Sequence, residues 1–295
     1  MYKSFQIISA FAKDMWESDF LVKALNPTIS RIPELKRAYQ TMISILNERR
    51  KPSTRELTED IYPLLEVSVP WKRLKDDTKL PAYFLSHYRP RLKTQENYYG
   101  SIFEIKIASF CLLSGWDIAF PEDYTEKKKQ IDFVLVSKAQ PHTVAVECTS
   151  KRLTQDLTYE KLKKTIEEKA KKFKPECIDR LSKKLGTNID EKLLVIDITR
   201  ADYSNPKILG DLSDFDRKVA GSTFDGVTFV WTEDVPEESD HSLRPKSRTS
   251  GASIPFAPEV ATEIHATKDG SVLFTRKYVE PEPAWGVWGD EETNQ

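Results

Sequence analysis

Residues 130–150 read QIDFVLVSKAQPHTVAVECTS. Two apolar runs, Ile131–Val136 and Thr143–Cys148, flank a short polar loop, and each run carries one acid, Asp132 or Glu147. A carboxylate set among apolar strand residues loses its hydration, which is costly unless hydrogen bonds or a cation replace it. The loop is centred between Ala139 and Gln140, so a symmetric hairpin without a bulge sets Asp132 opposite Glu147. The two side chains then share one face, with Cβ atoms roughly 5 Å apart. Two anions at that separation repel, and a divalent cation is the simplest remedy. Mg²⁺ suits the task, with Mn²⁺ as its substitute, because it takes a few carboxylates and keeps several waters.

Working outward, Tyr99–Leu113 has the spacing of a helix, with Phe103, Ile107, Phe110 and Cys111 on one stripe and Ser114-Gly115 as its stop. Trp116–Phe120 reads as a short strand ahead of the hairpin. After it, Thr158–Leu185 reads as a long charged helix, interrupted near Lys174-Pro175 and closed by Gly186. Lys192–Thr199 is apolar through its centre, as in a strand buried on both faces, and Phe224–Thr232 is a further strand. Helix, three strands, helix, strand, then another strand describe an α/β protein with a mixed central sheet flanked by helices.

Residues 1–95 read as an N-terminal helical region, with helices over Met1–Leu25 and Ser30–Arg49. Ser53-Thr-Arg-Glu56 has the form of a capping box. From Pro63 to Pro90 the density of proline, aromatic and charged residues suggests a linker wrapped on the core or a strand-poor binding surface. Residues 96–235 form the α/β core in this reading. Residues 236–295 supply a polar loop (with Glu233–Ile254), a hairpin over Glu263–Tyr278 turning at Asp269-Gly270, and an acidic tail with two Trp-Gly pairs.

The composition narrows the class. A chain of 295 residues with 39% hydrophobic and 11% aromatic content has enough apolar mass for one large or two ordinary cores. No run approaches the ~20 apolar residues of a bilayer span, and charges scattered through Met1–Phe20 argue against a signal peptide. Three cysteines without a CxxC pair fit a reducing compartment, so a soluble cytoplasmic protein is expected. The net charge of −1 conceals twelve Lys and Arg against six Asp and Glu over Lys151–Lys184, and five acids without a base over Glu280–Gln295. The basic stretch is either a solvated helix face or a surface for phosphates. Phosphate-loop, dinucleotide, zinc-protease and nucleophile-elbow motifs are all absent from the sequence.

With Glu104 on the preceding helix, Asp132 and Glu147 on successive strands, and Lys151 just beyond, the constellation resembles the PD-(D/E)XK nuclease superfamily, the restriction-endonuclease-like fold. The resemblance covers roughly Tyr99–Thr232 and rests on Gly100-x3-Glu104, Ile131-Asp132 and Val146-Glu147-Cys-Thr-Ser-Lys151. It implies phosphodiester hydrolysis, with DNA as the expected substrate, in restriction, repair or defence against foreign DNA. It also implies that Asp132 and Glu147 bind Mg²⁺, Glu104 assists, and a lysine orients the attacking water. The sequence departs from the family pattern in carrying Thr149 where that lysine is expected. Lys151, one strand repeat further on, and Lys129, before the first acid, are the alternatives. Cys148 points away from Glu147 and is read as a core residue. The competing reading is a nuclease-fold module without catalysis, binding nucleic acid or a protein partner, and a homodimer is compatible with either.

Overall fold

The structure is a computed structural model, and the residues it describes are 3–16, 33–53, 55–76, 83–92, 94–121, 131–137, 141–151, 157–198, 223–236 and 243–251. The chain forms two compact units, one built on Met1–Ser109 and the other on Phe110–Glu233, and the division falls inside a helix.

The first unit is helical. Helices α1 (Lys3–Trp16) and α2 (Pro33–Glu48) bury Ile8, Phe11, Met15, Tyr39, Met42 and Ile45. The capping box forms as read: Ser53 Oγ accepts the Glu56 N–H at 3.2 Å, while the Glu56 carboxylate accepts the Ser53 N–H at 2.8 Å. It opens a π-helical segment, Glu56–Ile61, that runs into α3 (Tyr62–Asp76). Helix α4 (Tyr83–Arg91) follows. The proline-rich stretch is therefore largely helical among the described residues, not a wrapped linker. Pro90 lies one residue before the end of α4, and its missing N–H forfeits the bond to the preceding turn just where the helix stops. Pro70 lies inside α3, and the burial of Trp71, Leu74 and Tyr88 around it outweighs the helix-breaking tendency.

Helix α5 (Gln95–Leu113) is buried on most sides and ends where expected. Gly115 takes φ 93°, and the Trp116 N–H turns back to the Cys111 carbonyl. A left-handed residue of this kind is what glycine permits at a helix end.

The second unit carries the sheet. Strand β1 (Asp117–Ala119) pairs antiparallel with β2 (Phe133–Val136), and β2 pairs antiparallel with β3 (Thr143–Ser150). Partners Phe133–Val146 and Val134–Ala145 give the bulge-free register expected for the hairpin. From β3 the chain crosses through α6 (Tyr159–Ala170), a 3₁₀ turn (Lys171–Phe173) and α7 (Pro175–Leu185). It then enters β4 (Glu191–Asp197), parallel to β3, and β5 (Gly226–Pro236) lies parallel to β4. The sheet is therefore mixed and flanked by helices, as an α/β protein. A further strand, β6 (Leu243–Gly251), occupies sequence expected to be a polar loop, and β5 also runs on into it, to Pro236. The expected C-terminal hairpin and acidic tail, like Lys129, lie outside the described residues. No helix among the described residues is long and apolar enough to cross a membrane.

One face of this sheet presents Val134, Ala145, Leu194, Ile196 and Val227, on which Leu162, Ile166, Phe173 and Leu181 of the crossover segment pack. Helix α6 starts at Thr158, whose hydroxyl caps the Lys161 N–H, and α7 ends at Gly186 with φ 69°. The crossover therefore begins and ends at residues whose chemistry suits those places.

Candidate active site

Strand alternation puts Glu147 on the helix-covered face, beside Ala145 and across from Leu194 of β4. Its side chain is wholly buried. Asp132 stands just before β2, at the position that continues the register opposite Glu147. Its Oδ2 accepts the Cys148 N–H at 2.7 Å, which fixes the carboxylate at the start of the hairpin. The hairpin thus brings the two acids together, and no divalent ion is needed to explain how both are neutralised. Lys169 Nζ lies 2.5 Å from Glu147 Oε1 and donates also to the Cys148 carbonyl at 3.2 Å. Lys172 Nζ straddles the Glu147 carboxylate at 2.6 and 2.7 Å, and reaches Asp132 Oδ1 at 3.5 Å.

These lysines were not singled out in the sequence. They stand three residues apart across the end of α6 and the 3₁₀ turn, so both reach one side of the helix. A signal was present, because Leu162, Ile166, Lys169 and Phe173 follow helical spacing and their three apolar members are buried. Lys169 occupies a core-facing position within a run that otherwise reads as a solvated basic face. Its long stem lets the ammonium reach the acid while one quarter of the side chain stays exposed.

Burial, followed by the neighbouring Asp132 carboxylate, pushes the Glu147 carboxyl up to about 7, while Lys172 and Lys169 pull the other way. Lys151 follows just beyond the end of β3, within electrostatic reach of Lys169. Partial burial, then repulsion from the Lys169 ammonium, holds its affinity for a proton below that of an ordinary lysine, against the pull of Glu168. Its backbone N–H is tied to the Asp197 carbonyl at 2.8 Å. Thr149 follows Glu147 on the same face and contributes no charge, so the cations that touch the pair come from the crossover segment. Cys148 is buried on the opposite face, as read.

Glu104 belongs to α5 in the helical unit. It is nearly buried and engaged by both arms of the Arg91 guanidinium, at 2.5 and 2.7 Å. Arg91 also lies against His87 Nε2. Among the described residues, no three His, Cys, Asp or Glu side chains converge as a metal-ligand group. The donor chemistry still suits Mg²⁺ or Mn²⁺. Asp132 and Glu147 offer hard carboxylate oxygens at adjoining positions, and such an ion completes its shell with water. No family model and no curated protein matches the chain.

Proposed function

We propose that the chain is a metal-dependent nuclease with a restriction-endonuclease-like core, hydrolysing phosphodiester bonds, with DNA as its substrate. The observation that carries this reading is the carboxylate pair. Asp132 and Glu147 occupy matched positions of an antiparallel hairpin, faced by Lys169 and Lys172. Two acids set side by side in a largely apolar face cost stability, and acids so placed are candidates for chemistry. The order of helix, antiparallel strands, crossover helices and parallel strand supports the same reading.

Asp132 and Glu147 would hold Mg²⁺ or Mn²⁺, which when bound polarises the phosphate and lowers the pKa of a coordinated water. The protein's own residues orient and neutralise. The Cys148 N–H fixes Asp132, and burial in the hairpin fixes Glu147. In this reading Lys151 takes the part of the family's lysine and orients the attacking water, a role that its lowered proton affinity suits. The exposed lysines of α6 and α7 contribute contacts to the phosphate backbone, which makes binding weaken with salt. Glu104 supports the helical unit through Arg91, and its part in chemistry rests on the family resemblance alone. Restriction, repair or defence in the cytoplasm, with a homodimer cutting both strands, is the setting this activity suits.

The test compares wild type and Asp132→Ala on plasmid and linear DNA in Mg²⁺, Mn²⁺ and EDTA. Cleavage by wild type alone, abolished by EDTA, is the expected result. Equal residual cutting by both proteins removes the catalytic reading. A second reading, a nucleic-acid or protein-binding module without catalysis, is favoured by two observations. Lys169 and Lys172 already neutralise the pair, and Thr149 stands where the family pattern has lysine.

A further inference from the structure

Lys172 Nζ lies 2.6 and 2.7 Å from the two Glu147 oxygens and 3.5 Å from Asp132 Oδ1. That is the position from which one cation serves both acids. Resting on the nuclease reading above, we propose that Lys172 is an exchangeable occupant of the metal position. In the metal-free protein its ammonium, with that of Lys169, neutralises Asp132 and Glu147, and divalent metal binds by displacing it toward the substrate phosphate.

Charge and geometry support the exchange. Two ammoniums balance two carboxylates in the metal-free cluster, and a divalent ion in place of the Lys172 ammonium brings a surplus of positive charge that an anionic phosphate meets. Lys169 reaches Glu147 and the Cys148 carbonyl, whereas Lys172 is the ammonium that reaches both carboxylates, where a shared cation would sit. It stands in the 3₁₀ turn between α6 and α7, on a flexible four-carbon stem. Rotation of that stem frees the oxygens while the helix stays in place. The displaced ammonium remains within a side chain's length of the carboxylates, where an anionic substrate needs neutralising. Metal and nucleic acid then bind with positive coupling, each favouring the arrangement that admits the other.

The experiment measures Mn²⁺ binding by calorimetry to wild type, Lys172→Met and Lys172→Arg, with circular dichroism melts in EDTA to establish folding. If Lys172 fills the position most of the time, its removal raises apparent Mn²⁺ affinity by roughly tenfold. Lys172→Met then gains more melting temperature from Mn²⁺ than wild type does. Lys172→Arg keeps the cation and binds no tighter than wild type. With Ca²⁺ saturating in place of Mn²⁺, a hard cation for the same carboxylate oxygens that holds back cleavage, Lys172→Met binds labelled duplex DNA more weakly than wild type.

Equal or weaker Mn²⁺ binding by folded Lys172→Met overturns the exchange and leaves the metal nuclease standing. Tighter binding by Lys172→Arg overturns it too, since charge would not be the cause. Unchanged DNA binding by the Met variant overturns the phosphate role alone. Absence of Mn²⁺ binding in every variant overturns both the exchange and the nuclease reading.

Discussion

Lys169 donates to the wholly buried Glu147 carboxylate from a helical position that the surrounding periodicity assigns to an apolar side chain. Buried ion pairs give little net stability, because desolvating the two groups costs about as much as their attraction returns. Losing one member is different, since the survivor stays buried without its partner.

The two halves of that pair therefore respond unequally to mutation. Lys169→Ala leaves Glu147 buried with Lys172 alone and is expected to cost about 2–3 kcal/mol, somewhat below the usual loss for a broken buried pair. Glu147→Gln costs less, because both lysines are partly exposed and can turn their ammonium groups to water. Urea unfolding of the two variants in EDTA checks the ranking, and equal losses would refute it.

The hairpin and the basic crossover show what is legible in a single sequence. A short loop between two apolar runs leaves little freedom of register, so pairing Asp132 with Glu147 followed from counting. Thr158 and Gly186 bound the crossover because each satisfies a helix terminus by its own chemistry. Lys169 and Lys172 were hidden, since a lysine in a basic run looks alike whether its stem covers a core or extends into water. The partner of Glu104 was hidden for a related reason. Arg91 ends a helix in a stretch whose prolines disguise it, and only the buried Trp71, Leu74 and Tyr88 show why helix prevails there. Strand β6 has the polar sequence of a loop, so periodicity gave no warning of it.

The capping box carries a pH dependence. Arg50 first, then the Ser53 N–H, lower the Glu56 carboxyl to about 2. Its proton affinity is weaker folded than unfolded, so its contribution to stability is present above the ordinary carboxylate pKa, near 4.3. That contribution is lost as pH falls toward 2. Wild type is expected to lose stability relative to Glu56→Gln across that window, and to keep a constant difference above pH 5.5. Parallel stability curves for the two proteins below pH 4.5 would show that Glu56 adds nothing through its charge.

Gly186 gives a purely conformational test. It closes α7 at φ 69°, yet a Cβ there would meet no heavy atom within 4 Å. Gly186→Ala should therefore cost about 1 kcal/mol through backbone strain alone. Gly186→Asn should cost less, because asparagine tolerates the left-handed region. Thermal or urea unfolding separates the two, and a neutral alanine variant would show that the cap relaxes freely.

Asp132 combines a structural and a chemical role that two substitutions can divide. Its Oδ2 accepts the Cys148 N–H, while Oδ1 faces Lys172. Asp132→Asn keeps a carbonyl oxygen for the N–H and removes the charge. Asp132→Ala removes both, leaving the strand N–H without its side-chain acceptor, at a cost of about 1–3 kcal/mol. The asparagine variant should accordingly stay near wild-type stability in EDTA while losing Mn²⁺ binding and DNA cleavage. The alanine variant should lose all three. If asparagine retains full Mn²⁺-dependent cleavage, the Asp132 charge takes no part in holding the ion, and its place in the hairpin is explained by the Cys148 hydrogen bond alone.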